Sequence, residues 1–227
     1  MSEIKLLNEN YRDFPSVELA MSEPNGLLAV GGDLDQERLV HAYRAGIFPW
    51  NEDNQPILWW SPNPRCVLFP EQLRVSKSLR KTLRQERFTV SFDRAFAKVV
   101  DACAAERKNN QGTWITSEIK TAFIGLYESG LGHSVETWYQ GELVGGLYGI
   151  AMGSIFFGES MFSRKSDASK VALYYLVEKL KRLNFTLIDC QVYNPHLESL
   201  GAECIPRQHF VNHLERHIAS PYASLWQ

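Results

Sequence analysis

The 227-residue chain has little of what usually announces a metal, a nucleotide cofactor or a membrane. Its four cysteines, Cys66, Cys103, Cys190 and Cys204, form no CxxC pair and stand among apolar residues, as in Cys66-Val67-Leu68. Neither a zinc site nor a disulfide framework is expected from this pattern; buried free thiols in a reducing cytoplasm are. No apolar run approaches the roughly 20 residues that a membrane helix needs. The opening segment MSEIKLLNEN is too polar for a secretory leader, which points to a cytoplasmic protein with no membrane partner. No Walker motif is present. No glycine-rich phosphate loop precedes the long helical pattern near residue 170 either. Ser163-Arg164-Lys165-Ser166-Asp167-Ala168-Ser169-Lys170 occupies that place without a glycine. His209, His213 and His217 recur every four residues, but no carboxylate completes a ligand set, so they read as a surface helix rather than a metal site. The formal net charge is only −2, so any contact with nucleic acid must come from a local patch.

What is present is ordinary globular composition, with 44% hydrophobic and 22% charged residues, enough to build a sizeable core. The first sixty or so residues are rich in Pro, Gly and Trp, with one short helix predicted over 36–45. They read as a small, loop-rich N-terminal domain over 1–64, ending in Ser61-Pro62-Asn63-Pro64, with a catalytic domain over 65–227. The second part opens with a strand over 66–69, a basic helix over 76–85 and a strand over 88–92. Asp93 is expected to cap a helix to about 105, and Thr116 to start another ending near Gly130. From about 134 the pattern becomes strand–strand–strand–helix–strand–helix–strand, with the third strand over 155–158 and Ser166 or Asp167 capping the long helix. Hairpins imply antiparallel pairing, and the long helix between strands implies a parallel crossover. An α+β fold follows: a mixed, largely antiparallel sheet flanked by helices.

Four groups of residues stand out. In Leu187-Ile188-Asp189-Cys190-Gln191-Val192, Asp189 and Gln191 interrupt an apolar strand and share a face by simple alternation. A buried carboxylate needs a partner or a function; the bland alternative is a loop cap. In Phe156-Phe157-Gly158-Glu159-Ser160-Met161-Phe162-Ser163, Glu159 lies within an apolar run. The Phe and Met residues alone would be core, but an acid at the rim of an apolar pocket suits an apolar substrate bearing an amine. Trp50, Trp59, Trp60 and Trp114 offer flat surfaces on which an adenine could stack. Between residues 65 and 87 there are seven basic residues, counting Arg65, against two acids. Lys77, Arg80, Lys81 and Arg84 fall on one helical face, which favours phosphate over a merely solvated surface.

Together these segments resemble the bacterial leucyl/phenylalanyl-tRNA–protein transferase family over nearly the whole chain. The landmarks are Glu23-Pro24-Asn25-Gly26-Leu27-Leu28-Ala29-Val30-Gly31-Gly32-Asp33-Leu34, Gly46-Ile47-Phe48-Pro49-Trp50, Trp59-Trp60-Ser61-Pro62, Gly112-Thr113-Trp114-Ile115-Thr116 and the two segments around Glu159 and Asp189. Each is weak alone, and their ordered combination is specific. The resemblance implies an acetyltransferase-like (GNAT) catalytic domain acting without a cofactor. Its partners would be aminoacyl-tRNA carrying Leu, Phe or less readily Met, and acceptor proteins beginning with Arg or Lys, marked in this way for N-end rule degradation. It further implies an amino-acid pocket of Phe156, Met161, Leu173, Leu176 and Ile188 with Leu147 on its wall. Trp50 and Trp114 would hold the terminal adenosine. Glu159, Asp189, Gln191 and Asn194 would surround the reacting ester, and a monomer is expected.

The donor ester is already activated, so orientation is the main catalytic requirement. Asp189 is the candidate to bind the acceptor amine and take its proton, with Gln191 fixing Asp189 or polarising the carbonyl. Arg74, Lys77, Arg80, Lys81 and Arg84 are the candidate tRNA contacts. Two other readings remain open on the residues alone: a coenzyme A-dependent acyltransferase, against which the absent pyrophosphate loop argues, and a non-catalytic RNA-binding module, which leaves Asp189 and Gln191 without a purpose.

Overall fold

The computed structural model describes residues 4–52, 55–110, 114–218 and 226, with the backbone alone at 106–110. Gly112 and Thr113 of the tryptophan motif, and Ala219, to which the sequence predicts a last helix running from Arg207, lie outside the described residues.

Two sheets form. The small one uses β1 (Lys5–Leu7), β2 (Leu27–Gly31), β3 (Phe48–Pro49) and β4 (Leu58–Trp60), in the order β1-β2-β4-β3, with α1 (Gln36–Arg44) between β2 and β3. The large one is built from β5 (Arg65–Leu68), β6 (Thr89–Phe92), β7 (Gly132–Tyr139), β8 (Glu142–Met152), β9 (Ile155–Ser163), β10 (Leu187–Gln191) and β11 (Glu203–Ile205). Its order is β11-β5-β10-β9-β8-β7-β6, parallel between β9 and β10 and antiparallel at the other pairings. The helices of this part are α2 (Lys77–Arg84), α3 (Phe96–Asn110), α4 (Ser117–Glu128), α5 (Ala168–Arg182), α6 (Pro195–Ser199) and α7 (Arg207–His217). The mixed, largely antiparallel sheet and its flanking helices agree with the expected class.

Alternation along the strands feeds two cores. Phe156, Ile188 and Leu147 pack with Leu173, Leu176 and Leu180 of α5 on one face. Phe157, Leu187 and Tyr148 pack on the other with α3, α4, α7 and residues of the small sheet, including Leu28 and Trp59. Gly145 lets α5 lie close to the sheet, because a Cβ there would stand 2.5 Å from Ala168 Cβ.

Several local expectations are corrected. Asp93 is not a helix cap: it adopts a left-handed φ of 57° and accepts the Ser134 N–H at 2.7 Å. Glu136 of β7 accepts the N–H groups of Arg94 and Ala95 instead. Asp167 occupies the N-cap of α5 in a left-handed conformation without capping it; its carboxylate accepts from Thr82 Oγ1 at 2.9 Å. β9 runs past Gly158 to Ser163, because a bulge opposite Tyr148 and Gly149 absorbs Glu159 and keeps the ladder going. The thiols are not uniformly buried: Cys66 and Cys103 are, Cys190 is half-buried and Cys204 is exposed. Nor is the inner face of α7 merely surface. His213 donates to or accepts from Thr186 Oγ1 at 3.0 Å and stacks on His217 at 4.2 Å.

Candidate active site

The site forms where the two parallel strands part. β10 and β9 pair only from Leu187 with Ile155 to Asp189 with Phe157. Beyond that register, β9 stays on β8, while β10 bulges between Asp189 and Gln191 against β5. The divergence leaves a cavity of about 320 Å³ on the α5 side, lined by Leu147, Phe156, Met161, Leu173, Leu176 and Ile188, with Cys190, Asn194, His196 and Leu197 towards its mouth. Every apolar residue assigned to the pocket lies on this wall. Gly149 makes room for Phe156, since a Cβ there would come within 2.7 Å of its ring. Behind Phe156 stands the Trp226 ring, stacked at 5.7 Å.

Polar groups enter through the gap. Asp189, which is fully buried, is held in a forked ion pair with Arg65: Nε to Oδ1 at 2.8 Å and Nη2 to Oδ2 at 2.7 Å. Arg65 also donates to Gly46 O at 3.1 Å, and its guanidinium lies between the rings of Phe48 and Phe210 at 4.7 and 4.6 Å. Such planar forked pairing suits Arg and lowers the penalty of burying both charges. Asp189 Oδ1 accepts the Gln191 N–H at 2.9 Å as well. Gln191 has a left-handed φ of 63° and donates through Nε2 to Glu159 Oε1 at 3.1 Å. Tyr43 of α1 donates to the same Glu159 oxygen at 2.8 Å.

This geometry corrects the alternation argument. Asp189 and Gln191 act together because a bulge brings the Gln191 backbone onto the carboxylate, not because they share a pleat. Asp189 also points towards Arg65 rather than opening its charge to the cavity. Arg65 itself leaves the basic patch with which it was counted.

Burial pushes the Glu159 carboxyl up to about 8, and the nearby Asp189 charge adds to the rise; hydrogen bonds from Tyr43 and Gln191 and the Arg65 charge oppose it. At neutral pH Glu159 is therefore mostly protonated. Both donors meet Oε1, which leaves Oε2 to carry the proton. Burial and Glu159 together raise the Tyr43 phenol, so it stays a donor.

Of the remaining assigned residues, the tryptophans and the basic residues stand apart from the cavity wall. Trp50 is 45% exposed and packs at 5.6 Å against Trp60, whereas Trp114 is buried in the larger core. Asn194 caps α6, its Oδ1 accepting the His196 N–H at 2.8 Å, and also lines the cavity mouth. Arg74, Lys77, Arg80, Lys81 and Arg84 are all exposed, four of them along α2. Among the described residues, no group of three or more His, Cys, Asp or Glu side chains is placed to hold a metal ion.

Two site residues escape a reading of the sequence: Tyr43, hidden in an amphipathic helix, and Arg65, hidden in a run of cations. The usable signal was a single Arg opening the apolar strand Arg65-Cys66-Val67-Leu68, because a buried cation calls for a buried anion and Asp189 is the carboxylate in an equally apolar strand.

The family patterns and the sequence relatives agree with one another. The family pattern described as Leucyl/phenylalanyl-tRNA protein transferase matches residues 67–215, and that of its N-terminal domain matches residues 32–63. The chain is 57% identical over 220 residues to the leucyl/phenylalanyl-tRNA--protein transferase of Pseudomonas syringae pv. syringae, covering 97% of this chain and 96% of that one. It is 57% identical over 220 residues to the protein of the same description from Azotobacter vinelandii, covering 97% of each. Among solved structures it is similar to L-PGS from Bacillus licheniformis (TM-score 0.43, 13% identity, 72% of this chain and 55% of that one). It is also similar to a GCN5-related N-acetyltransferase from Kribbella flavida (TM-score 0.36, 14% identity, 73% and 58%).

Proposed function

Because this chain belongs to the leucyl/phenylalanyl-tRNA protein transferase family, we propose that it moves Leu or Phe, and less readily Met, from aminoacyl-tRNA to the N-terminal Arg or Lys of acceptor proteins. The observation that carries this reading is the apolar cavity meeting the buried Arg65–Asp189–Gln191–Glu159 chain at the splayed strands. An unbranched or γ-branched side chain enters between Phe156, Met161, Leu173, Leu176 and Ile188, where its burial contributes about 1.5–3 kcal/mol. The ester then lies at the mouth, beside Gln191 and Glu159. Trp50 and Trp114 hold the terminal adenosine, and the exposed cations of α2 follow the phosphate backbone.

The reaction joins the acceptor nitrogen to the ester carbonyl carbon, the ester C–O bond breaks, and the ribose oxygen leaves as a hydroxyl with a proton that the nitrogen gives up. Asp189 acts at one remove. Its charge is balanced by Arg65, and its Oδ1 fixes the left-handed turn that presents the Gln191 amide. Gln191 then orients the carbonyl, and the neutral Glu159 donates to the donor's amine or hydroxyl oxygen-bearing end. The acceptor's proton is drawn towards Asp189 through water. The acceptor recognition and its place in protein degradation belong to the same reading, as does a division of labour between residues 1–64 and 65–227.

A transfer assay with separately charged Leu-, Phe-, Met-, Ile- and Val-tRNA and an Arg-starting peptide tests it. Leu and Phe should transfer, Met less readily, and the β-branched donors poorly. Equal transfer from all five, or none from Leu and Phe, would refute the assignment.

A further inference from the structure

Three cysteines far apart in sequence meet on three neighbouring strands. β5 lies between β11 and β10. Cys66 stands directly opposite Cys204. On its other side it faces the bulge after Asp189, so that Cys190 and Gln191 together oppose it. The Cys66 sulfur interacts with the thiols of both Cys190 and Cys204. Directly opposed residues in an antiparallel pair have Cα atoms about 4.5 or 5.5 Å apart. Disulfides span Cα separations of about 4.4–6.8 Å, so the Cys66–Cys204 position can close with little movement of the strands.

The three thiols differ in access and acidity. Cys204 is exposed on the edge strand, Cys66 is buried, and Cys190 lines the amino-acid cavity. The hydrogen bond with Cys190, helped by those with Cys204 and the Asn194 backbone, holds the Cys66 thiol below its ordinary range despite burial. Interaction with Cys66 and burial raise Cys190, and burial raises Cys204. The central sulfur is thus the one held lowest of the three, beside a solvent-accessible partner.

We propose that Cys66 and Cys204 form a peroxide-oxidisable site that closes to a cross-strand disulfide and slows aminoacyl transfer. Peroxide reaches Cys204, the exposed thiol, whose thiolate fraction attacks one oxygen; the O–O bond breaks to leave a sulfenic acid and hydroxide, which takes up the proton the thiol had lost and becomes water. The Cys66 thiolate then attacks the Cys204 sulfur; an S–S bond forms and hydroxide leaves, to be protonated to water. In total two thiols and one peroxide give one disulfide and two waters, with two electrons passing from sulfur to oxygen. A thiol reductant reverses the step by exchange. Closure draws the Cys66 sulfur towards β11 and away from Cys190. Cys66 directly follows Arg65, whose fork holds Asp189, so the disturbance falls on the chain that positions Gln191 and Glu159. This effect on rate rests on the proposed role of that chain; the disulfide itself does not.

The full chain is treated with hydrogen peroxide, its remaining thiols are alkylated, and it is digested without reduction. The expected product is a Cys66–Cys204 cross-linked peptide that dithiothreitol removes. Transfer of Leu from charged tRNA should fall on the order of a hundred-fold, the scale of loss from misplacing a positioning group by about 1 Å, and recover on reduction. The Cys204→Ser chain should keep its basal transfer and lose the reversible response. Separate alkylation of Cys66 and Cys204 after oxidation, a Cys66–Cys190 link instead, or undiminished inhibition of Cys204→Ser would overturn the site. A cross-link that leaves transfer unchanged would overturn its coupling to the reaction. Absence of transfer from any charged tRNA before oxidation would sink the proposed function, while the peptide map would still decide the disulfide.

Discussion

Arg65 bears both on the stability of the chain and on the chemistry proposed for it. Its guanidinium is almost wholly buried, forked onto Asp189 and flanked by Phe48 and Phe210. Removing one partner of such a pair strands a charge in the interior and costs about 3–5 kcal/mol, whereas replacing both is often close to neutral. Arg65→Met and Asp189→Asn should therefore each lower unfolding stability. The double variant Arg65→Met/Asp189→Asn should regain most of it without regaining transfer. Denaturant unfolding and a Leu-transfer assay on all three separate the two roles. Wild-type transfer by the refolded double variant would show that the pair is only scaffolding. Asp189, Gln191 and Glu159 were legible because each interrupts an apolar run. Arg65 was not, because the neighbouring cations 74–87 gave its charge a plausible surface explanation. Only the pairing of β5 with β10, made across well over a hundred residues of chain, reveals its true partner.

Single elements divide along the same line between local and non-local causes. α2 was readable as a basic helix with Lys77, Arg80, Lys81 and Arg84 on one face, and the structure adds that Ser76 caps it by accepting the Leu79 N–H while Leu79 and Thr82 turn inward. Everything that decides this helix lies within it. β9 and β10 were readable as strands, but not in their irregularities. The bulge in β10 has no local signal, since Gln191 is neither Gly nor Asn yet adopts φ 63°. It is sustained from within by Asp189, whose Oδ1 accepts the Gln191 N–H, and from outside the strand by Glu159. For α2 the expected outcome is electrostatic. Replacing Lys77, Arg80, Lys81 and Arg84 with Gln should weaken tRNA binding and shallow its log Kd–log[salt] slope by up to about four phosphate contacts, each contributing a slope of about 0.7–0.9. Binding titrations at several salt concentrations measure this directly. An unchanged slope would reduce the patch to a solvated face.

At the scale of the whole molecule, the two sheets are joined at the site as well as through the shared core. Tyr43 of the small-sheet region donates to Glu159 of the large sheet, and Arg207 of α7 donates to Ser61 O at 2.6 Å. A titrating group at such a junction makes the stability of the entire chain depend on pH. Glu159 goes from an ordinary 4.5 to about 8, chiefly through burial, so the folded chain holds that proton more tightly than the unfolded one. Its contribution is complete below 4.5 and is lost as pH rises through about 8. His213 works in the opposite sense. Burial first, and then the charges of His217 and Arg216, lower it from 6.5 to about 4, so its contribution is present above 6.5 and lost as pH falls through about 4. The two slopes oppose each other in the acid range, but between 6.5 and 8 the loss belongs to Glu159. The melting temperature should therefore fall across that interval, and Glu159→Gln, which keeps a neutral group of the same shape in contact with Tyr43 and Gln191, should flatten it. Thermal unfolding of both chains at half-unit pH steps reads the difference. An equally steep fall in the Gln variant would mean that Glu159 is ionised throughout, and that the neutral donor assigned to it in the reaction is wrong.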